Sequence, residues 1–256
     1  MTDTHTHLYM PDAYEDGGEE AVKNALEAGV GQMVFPCVTL ESLPEMNRLH
    51  EKFPDSTRLA IGLHPTELSD EWEKELDEME AMLPGKFVAV GEVGIDLYHD
   101  SSKREIQKKA FARQIEWASK YGLPVIIHCR DGLDDTLEVI SAAAKPLPPL
   151  IFHSFTAGPE EVKKIRQICD PWFGINGVVT FKNAPLLREA LPEIGIGRIL
   201  LETDAPWLSP APMRGQRNES SRIPFIRDKV AEVLEMSPEE VEKITDSSAA
   251  QLFGFK

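Results

Sequence analysis

Residues 2–8 read TDTHTHL and residues 198–206 read RILLETDAP; the two stretches together decide the fold. Side chains two apart on an extended strand share a face. His5 and His7 therefore point together, and neither Thr4 nor Thr6 can join them. In the second stretch an apolar run through Leu200 and Leu201 ends in Glu202 and Asp204, which share a face one layer apart. Ligand-type residues thus close both the first and the last strand-like segment of the chain. In an open sheet those segments lie too far apart to share a site, whereas a closed barrel makes them neighbours.

Between them, strand-like and helix-like segments alternate along the chain. Strands are expected at Thr2–His7, Gln32–Val38, Arg58–His64, Phe87–Gly91, Pro124–His128, Leu150–His153, Phe173–Val179 and Arg198–Thr203. Helical patterns centre near Val22–Ala28, Leu43–Glu51, Glu71–Met82, Ser102–Tyr121, Leu133–Ala143, Glu160–Cys169, Leu186–Leu191 and Arg222–Glu235. The fourth is the clearest: Phe111, Ile115 and Ala118 line one face, Lys103, Lys108, Lys109 and Lys120 suit the other, and Gly122 with Pro124 ends it. Val34, Val125, Ile126, Ile127, Leu200 and Leu201 belong to near-continuous apolar strands, as parallel strands covered on both faces require. Eight such units predict an α/β fold, a (β/α)8 TIM barrel, formed by residues 1–256 as a single domain. A last helix, Pro238–Leu252, is expected to pack against the outside.

Composition narrows the chemistry. The 256 residues carry 43 acidic against 27 basic side chains, a net charge of -16, which argues against tight binding to long duplex nucleic acid. A short end or a single nucleotide held beside bound cations is still compatible with that charge. Cys37, Cys129 and Cys169 have no metal-type spacing and read as reduced thiols, with Cys129 turned toward the helices. No apolar run has the length of a membrane span, and the first strand starts almost at Met1, so a cytoplasmic protein with no membrane association is expected.

Five apolar strands end in a metal-ligand type: His5 and His7 on the first, Glu92 on the fourth, His128 on the fifth, His153 on the sixth and Asp204 on the eighth. Active sites of such barrels lie at the C-terminal strand ends. Four histidines and two carboxylates converging there suffice for two divalent ions of the Mg²⁺, Mn²⁺ or Zn²⁺ type. Asp3 and Glu202, on the same faces, are expected to orient imidazole or carboxylate ligands. Arg130, one step outward on the face of His128, is aimed at a bound ligand, as is His64, before Pro65. Lys182, Arg214 and Arg217 are further loop cations near the expected mouth; for Arg214 and Arg217 a solvated role weighs equally. His50 and His99 receive no role.

The motifs DTHTHL (Asp3–Leu8), GEVGID (Gly91–Asp96), PVIIHCRD (Pro124–Asp131), HSF (His153–Phe155) and ETDAP (Glu202–Pro206) resemble, in order, those of the TatD family of metal-dependent deoxyribonucleases. The likeness extends through GLHP (Gly62–Pro65), TFKN (Thr180–Asn183) and the loop Pro210–Glu219, and so spans nearly the whole chain. It implies an amidohydrolase-type barrel and a DNase, of exonuclease type, acting on short or single-stranded DNA ends with two divalent metal ions. One ion would sit on His5, His7, Glu92 and Asp204. The other would sit on Glu92, His128 and His153, with Glu92 bridging and Asp204 taking the proton of the attacking water. One departure is visible: Ser220 follows Glu219 where the family usually has proline. The competing expectation is a metal-dependent hydrolase of a small-molecule amide, ester or lactone, since the fold alone does not fix the substrate.

Overall fold

The computed structural model describes residues 1–255. Eight parallel strands form one sheet in chain order: β1 (Thr2–Asp3), β2 (Gln32–Pro36), β3 (Thr57–Ile61), β4 (Ala89–Asp96), β5 (Val125–Arg130), β6 (Leu150–Phe152), β7 (Trp172–Ile175) and β8 (Ile199–Leu201). Backbone bonds from Thr4 N to Leu201 O (3.0 Å), Asp204 N to His5 O (2.9 Å) and His7 N to Ala205 O (2.8 Å) close the sheet. The fold is a TIM barrel. Helices α1 (Glu19–Glu27), α2 (Leu43–Lys52), α3 (Trp72–Met82), α4 (Arg104–Tyr121), α5 (Leu133–Ala142), α6 (Pro159–Arg166), α7 (Pro185–Ile194) and α8 (Ile223–Leu234) follow the strands in turn.

Strand alternation sorts the apolar residues into two cores. Met33, Phe35, Leu59, Ile61, Val125, Ile127, Ile199 and Leu201 join the layer between sheet and helices. Val34, Ala60, Ala89, Ile126, Ile151 and Leu200 fill the barrel interior. The last helix, α9 (Pro238–Phe253), corrects the expectation of a helix on the outside. Its Ala249, Leu252 and Phe253 pack into the interior cluster, so its C-terminal half plugs the barrel end opposite the mouth. The amphipathic pattern of α9 is the same for either position, because the barrel floor is as apolar as its flank.

Most strands end earlier than expected, β1 at Asp3, β2 at Pro36, β3 at Ile61 and β8 at Leu201, so His5, His7, His64 and Asp204 stand just beyond them. The seventh strand stops at Ile175, and a 3₁₀ turn over Gly177–Thr180 replaces its predicted end, with Asn176 accepting from the Val178 amide. The fourth strand instead runs on to Asp96. Its pairing with β5 shifts between Val90 and Val93, so that Gly91 and Glu92 face a single residue, Ile126. A bulge of this kind re-aims a side chain. Val90 and Val93 both pack outward, yet Glu92 reaches the inside.

Candidate metal centre

Glu92 is the hub. Its Oε2 lies 3.1 Å from His5 Nε2 and 3.5 Å from His7 Nε2. Its Oε1 lies 2.7 Å from His153 Nε2, 2.8 Å from His128 Nδ1 and 3.4 Å from His64 Nε2. Asp204 Oδ1 stands on the first side, 3.8 Å from His5 Nε2 and 3.9 Å from His7 Nε2. The structure therefore brings together all six residues expected from the strand ends, with one carboxylate oxygen turned to each of two histidine groups.

The imidazoles are held from behind. Tyr9 Oη donates to the Pro36 carbonyl (2.5 Å), so the same oxygen accepts from His7 Nδ1 (3.0 Å) and leaves His7 Nε2 bearing a lone pair. Asp96, fully buried, accepts from His128 Nε2 and His99 Nδ1, both at 2.9 Å. His64 Nδ1 accepts from the Thr66 amide (3.2 Å), which makes Nε2 the protonated nitrogen facing Glu92. Glu202 Oε1 accepts from the Ser154 amide and lies 3.7 Å from His153 Nδ1. A Cβ on Gly174 would sit 2.0 Å from Glu202 Oε2, so only glycine on β7 leaves room for that carboxylate. Asp3 acts through the backbone instead of through an imidazole. It accepts from Thr203 N (2.9 Å), Thr203 Oγ1 (2.6 Å) and His5 N (3.3 Å), tying the first strand to the last.

Burial opposes ionisation of Glu92, but His153, His5, His64 and His128 around it hold its carboxyl well below the ordinary range. Burial lowers His5, and the neighbouring His153 lowers it further. Burial also works against a charged His153, yet Glu92 and Glu202 raise it well above the usual imidazole value. Burial pushes Asp204 up to about 6, with His153 opposing and the charge of Glu92 adding. Asp3 is lifted to about 7 by burial against the hydrogen bonds it accepts from Ser220, Thr203 and His5.

The donor set fits divalent cations. Among the described residues, Glu92, Asp96, Glu202 and Asp204 form ion pairs with histidines alone, and no Lys or Arg balances them. His5 Nε2 and His7 Nε2 face each other at 3.1 Å. Two nitrogens on one tetrahedral Zn²⁺ lie about 3.3 Å apart, given Zn–N bonds of about 2.0–2.1 Å. His5 Nδ1 and His153 Nδ1 are buried without a hydrogen-bond partner. Four of the five non-glycine residues with left-handed φ, namely Asp131, Ser154, Asp204 and Leu208, follow strand ends at this mouth. Such strain gathers where a site is built.

Above the hub lies a cavity of about 890 Å³. His64 and Arg130 line it as expected, and Arg130 lays its guanidinium 3.7 Å over the ring of Tyr98. Lys182 and Arg214 are not brought to its wall. Lys182 is exposed, and Arg214 is exposed with its guanidinium over Phe181 (4.3 Å). Arg217 stacks on Tyr14 and donates to Ala13 O (2.9 Å), a loop anchor. Ser220 is buried, its hydroxyl 3.3 Å from Thr6 Oγ1. Cys129 Sγ accepts from Thr136 of α5, as its outward register predicts.

Sequence reasoning missed Tyr9, Asp96, His99 and Trp207. Asp96 stands four residues after Glu92, and Tyr9 continues the alternation of His5 and His7; both signals were available. His99 and Trp207 lie in loops, where no periodicity exists to aim them.

With this geometry in place, comparison with known proteins gives the family. A family model described as TatD related DNase matches residues 2–254. The chain belongs to the TatD family. It is 35% identical to the metal-dependent hydrolase YabD of Bacillus subtilis, over 99% of this chain and 98% of that one. It is 31% identical to the 3′-5′ ssDNA/RNA exonuclease TatD of Citrobacter rodentium, over 92% of this chain and 91% of the other. Among solved structures, the TatD homologue YjjV of Escherichia coli K12 superposes with a TM-score of 0.89 at 27% identity, covering 100% and 98% of the two chains. The TatD chain described here is accordingly a metal-dependent hydrolase with buried His/Glu clusters suited to metal.

Proposed function

We propose that this chain is a two-metal phosphodiesterase that removes nucleotides from single-stranded ends, of DNA first of all. The observation that carries the reading is Arg130, the sole Lys or Arg among the described residues lining the cavity above Glu92. A guanidinium forks onto phosphate oxygens, and stacking on Tyr98 fixes its plane. The 31% identity to a 3′-5′ ssDNA/RNA exonuclease supports the same substrate class.

In this reading His5, His7, Asp204 and Glu92 Oε2 would hold one divalent ion, and Glu92 Oε1, His128 and His153 the other. Bound there, the pair supplies Lewis acidity that makes hydroxide available near neutral pH and offsets the charge of the attacked phosphate. Asp204 accepts the proton of the attacking water, its carboxylate standing beside His5 and His7 on the Oε2 side of the hub. His64 presents Nε2–H as a donor to substrate beside Glu92. Arg130 orients the phosphate from the same polar wall.

The test is cleavage of short 5′-labelled single-stranded DNA by EDTA-stripped protein with Mg²⁺, Mn²⁺ or Zn²⁺ restored. A metal-restored ladder shortening from the 3′ end is expected. Asp204→Asn should lose on the order of 10²–10⁴-fold in turnover while still binding metal. Full metal occupancy without cleavage of DNA or RNA, alongside turnover of a lactone or amide, would overturn the reading.

A further inference from the structure

The cavity has two unlike walls. After β3 to β6 it is polar, with His64, Thr66, His99, Arg130, Ser154 and Thr156; after β7, β8 and β1 it is apolar, with Val178, Trp207, Leu208 and Met10. Trp207 is the anomaly on that wall. Its indole is 50% exposed, although large aromatic side chains usually bury most of their surface. It stands edge-on to the His7 ring at 5.5 Å, directly beside the hub.

The loop that carries Trp207 is rigid. Trp207 N donates to Asp204 O (3.0 Å), and the fully buried Asn218 donates to Trp207 O (2.7 Å) and Thr203 O (2.9 Å). An exposed ring on a fixed backbone offers a flat apolar face at little conformational cost to whatever binds there. Bases of single-stranded nucleic acid stack on such rings whatever their identity.

Resting on the nuclease reading above, we propose that Trp207 is the stacking platform for the terminal base, with Met10, Val178 and Leu208 completing an apolar base subsite opposite Arg130. The cavity volume lies within the usual range for small-ligand sites, roughly 300–1,000 Å³. That size suits one terminal nucleotide. With a net charge of -16 the chain offers no basic track for a long backbone, so stacking supplies the grip that charge does not. A paired end, whose base is already stacked on its neighbour, must be unstacked before it can bind.

The experiment uses two single-stranded oligonucleotides that differ at the 3′ end alone, one normal and one with an abasic terminal residue. Wild-type enzyme should favour the normal end by on the order of tenfold in kcat/KM, the scale of one base–aromatic stack. Trp207→Ala should bring the ratio close to one, and Trp207→Phe should retain most of it. The abasic substrate is the internal control for any loss of folding. Separately, a phosphorothioate trinucleotide should quench tryptophan fluorescence of metal-loaded wild type, and the Trp207-dependent part should vanish in Trp207→Phe. An unchanged ratio in Trp207→Ala would overturn the subsite and leave the nuclease reading intact. Quenching without cleavage would keep the subsite and overturn the nuclease. Absence of both would overturn both.

Discussion

The two flanks of Glu92 are built differently. On the Oε1 flank His128 is backed by the Asp96 carboxylate and His64 by the Thr66 amide, while His153 Nδ1 makes no hydrogen bond but has the Glu202 carboxylate at 3.7 Å. On the Oε2 flank a neutral phenol, Tyr9, backs His7, and His5 Nδ1 has no partner. The difference follows from position. His5 and His7 leave β1 at the seam where the barrel closes, and Asp3 spends its carboxylate on that seam. The other histidines lie away from that seam: Asp96 on β4, next to β5, serves His128, and Glu202, just past β8, stands near His153. A group behind a ligand fixes its orientation and raises its basicity. The flanks should therefore fail independently.

Glu92→Gln tests the shared element and carries the largest effect. It should cut metal-supported turnover by at least about 10³-fold, since Lewis-acid stabilisation worth several kcal/mol is lost on both sides. Metal stoichiometry by atomic absorption should fall for both sites; retention of one full equivalent would break the picture of a common hub. Asp96→Asn should weaken a single site by about 10–100-fold, read by calorimetric titration. If both affinities moved together, the flanks would be one unit.

Tyr9→Phe is the counterpart on the other flank. The Pro36 carbonyl loses its donor and His7 Nδ1 its acceptor, so a loss near tenfold at the opposite site is expected, the low end of the range for such supporting groups. A variant equal to wild type in both titrations would show that packing alone orients His7. The smallest effect is assigned to the rim. Arg214 stacks on Phe181 outside the cavity, and Arg214→Ala should leave kcat/KM within about threefold, as expected for an exposed position away from the site. A tenfold fall would bring that loop back into substrate binding.

How legible the site was depended on the strand. His5, His7, His128 and His153 could be placed because the inward register of an apolar strand carries into the residues at and just past its end, and Asp204 because it closely follows the last strand. Lys182 and Arg214 could not be placed, because a loop cation carries no such register; each was expected near substrate and lies off the cavity wall. Ser220 shows the same limit. Its departure from the family's proline was visible, but its burial against Thr6 was not.

The alternation of eight apolar strands with helices, and ligand-type residues at both chain-terminal strands, determined the barrel from sequence alone, because periodicity and neighbour requirements are local facts that add up along the chain. The inward turn of Glu92 was decided by the tertiary structure: simple alternation from the outward Val90 sends it to the helices, and the bulge opposite Ile126 reverses it. The placement of α9 under the barrel was decided the same way, by which apolar surface was left uncovered once eight strands had closed. A bulge and a plug are both answers to the packing of distant segments, and no window of sequence contains the partner that selects them.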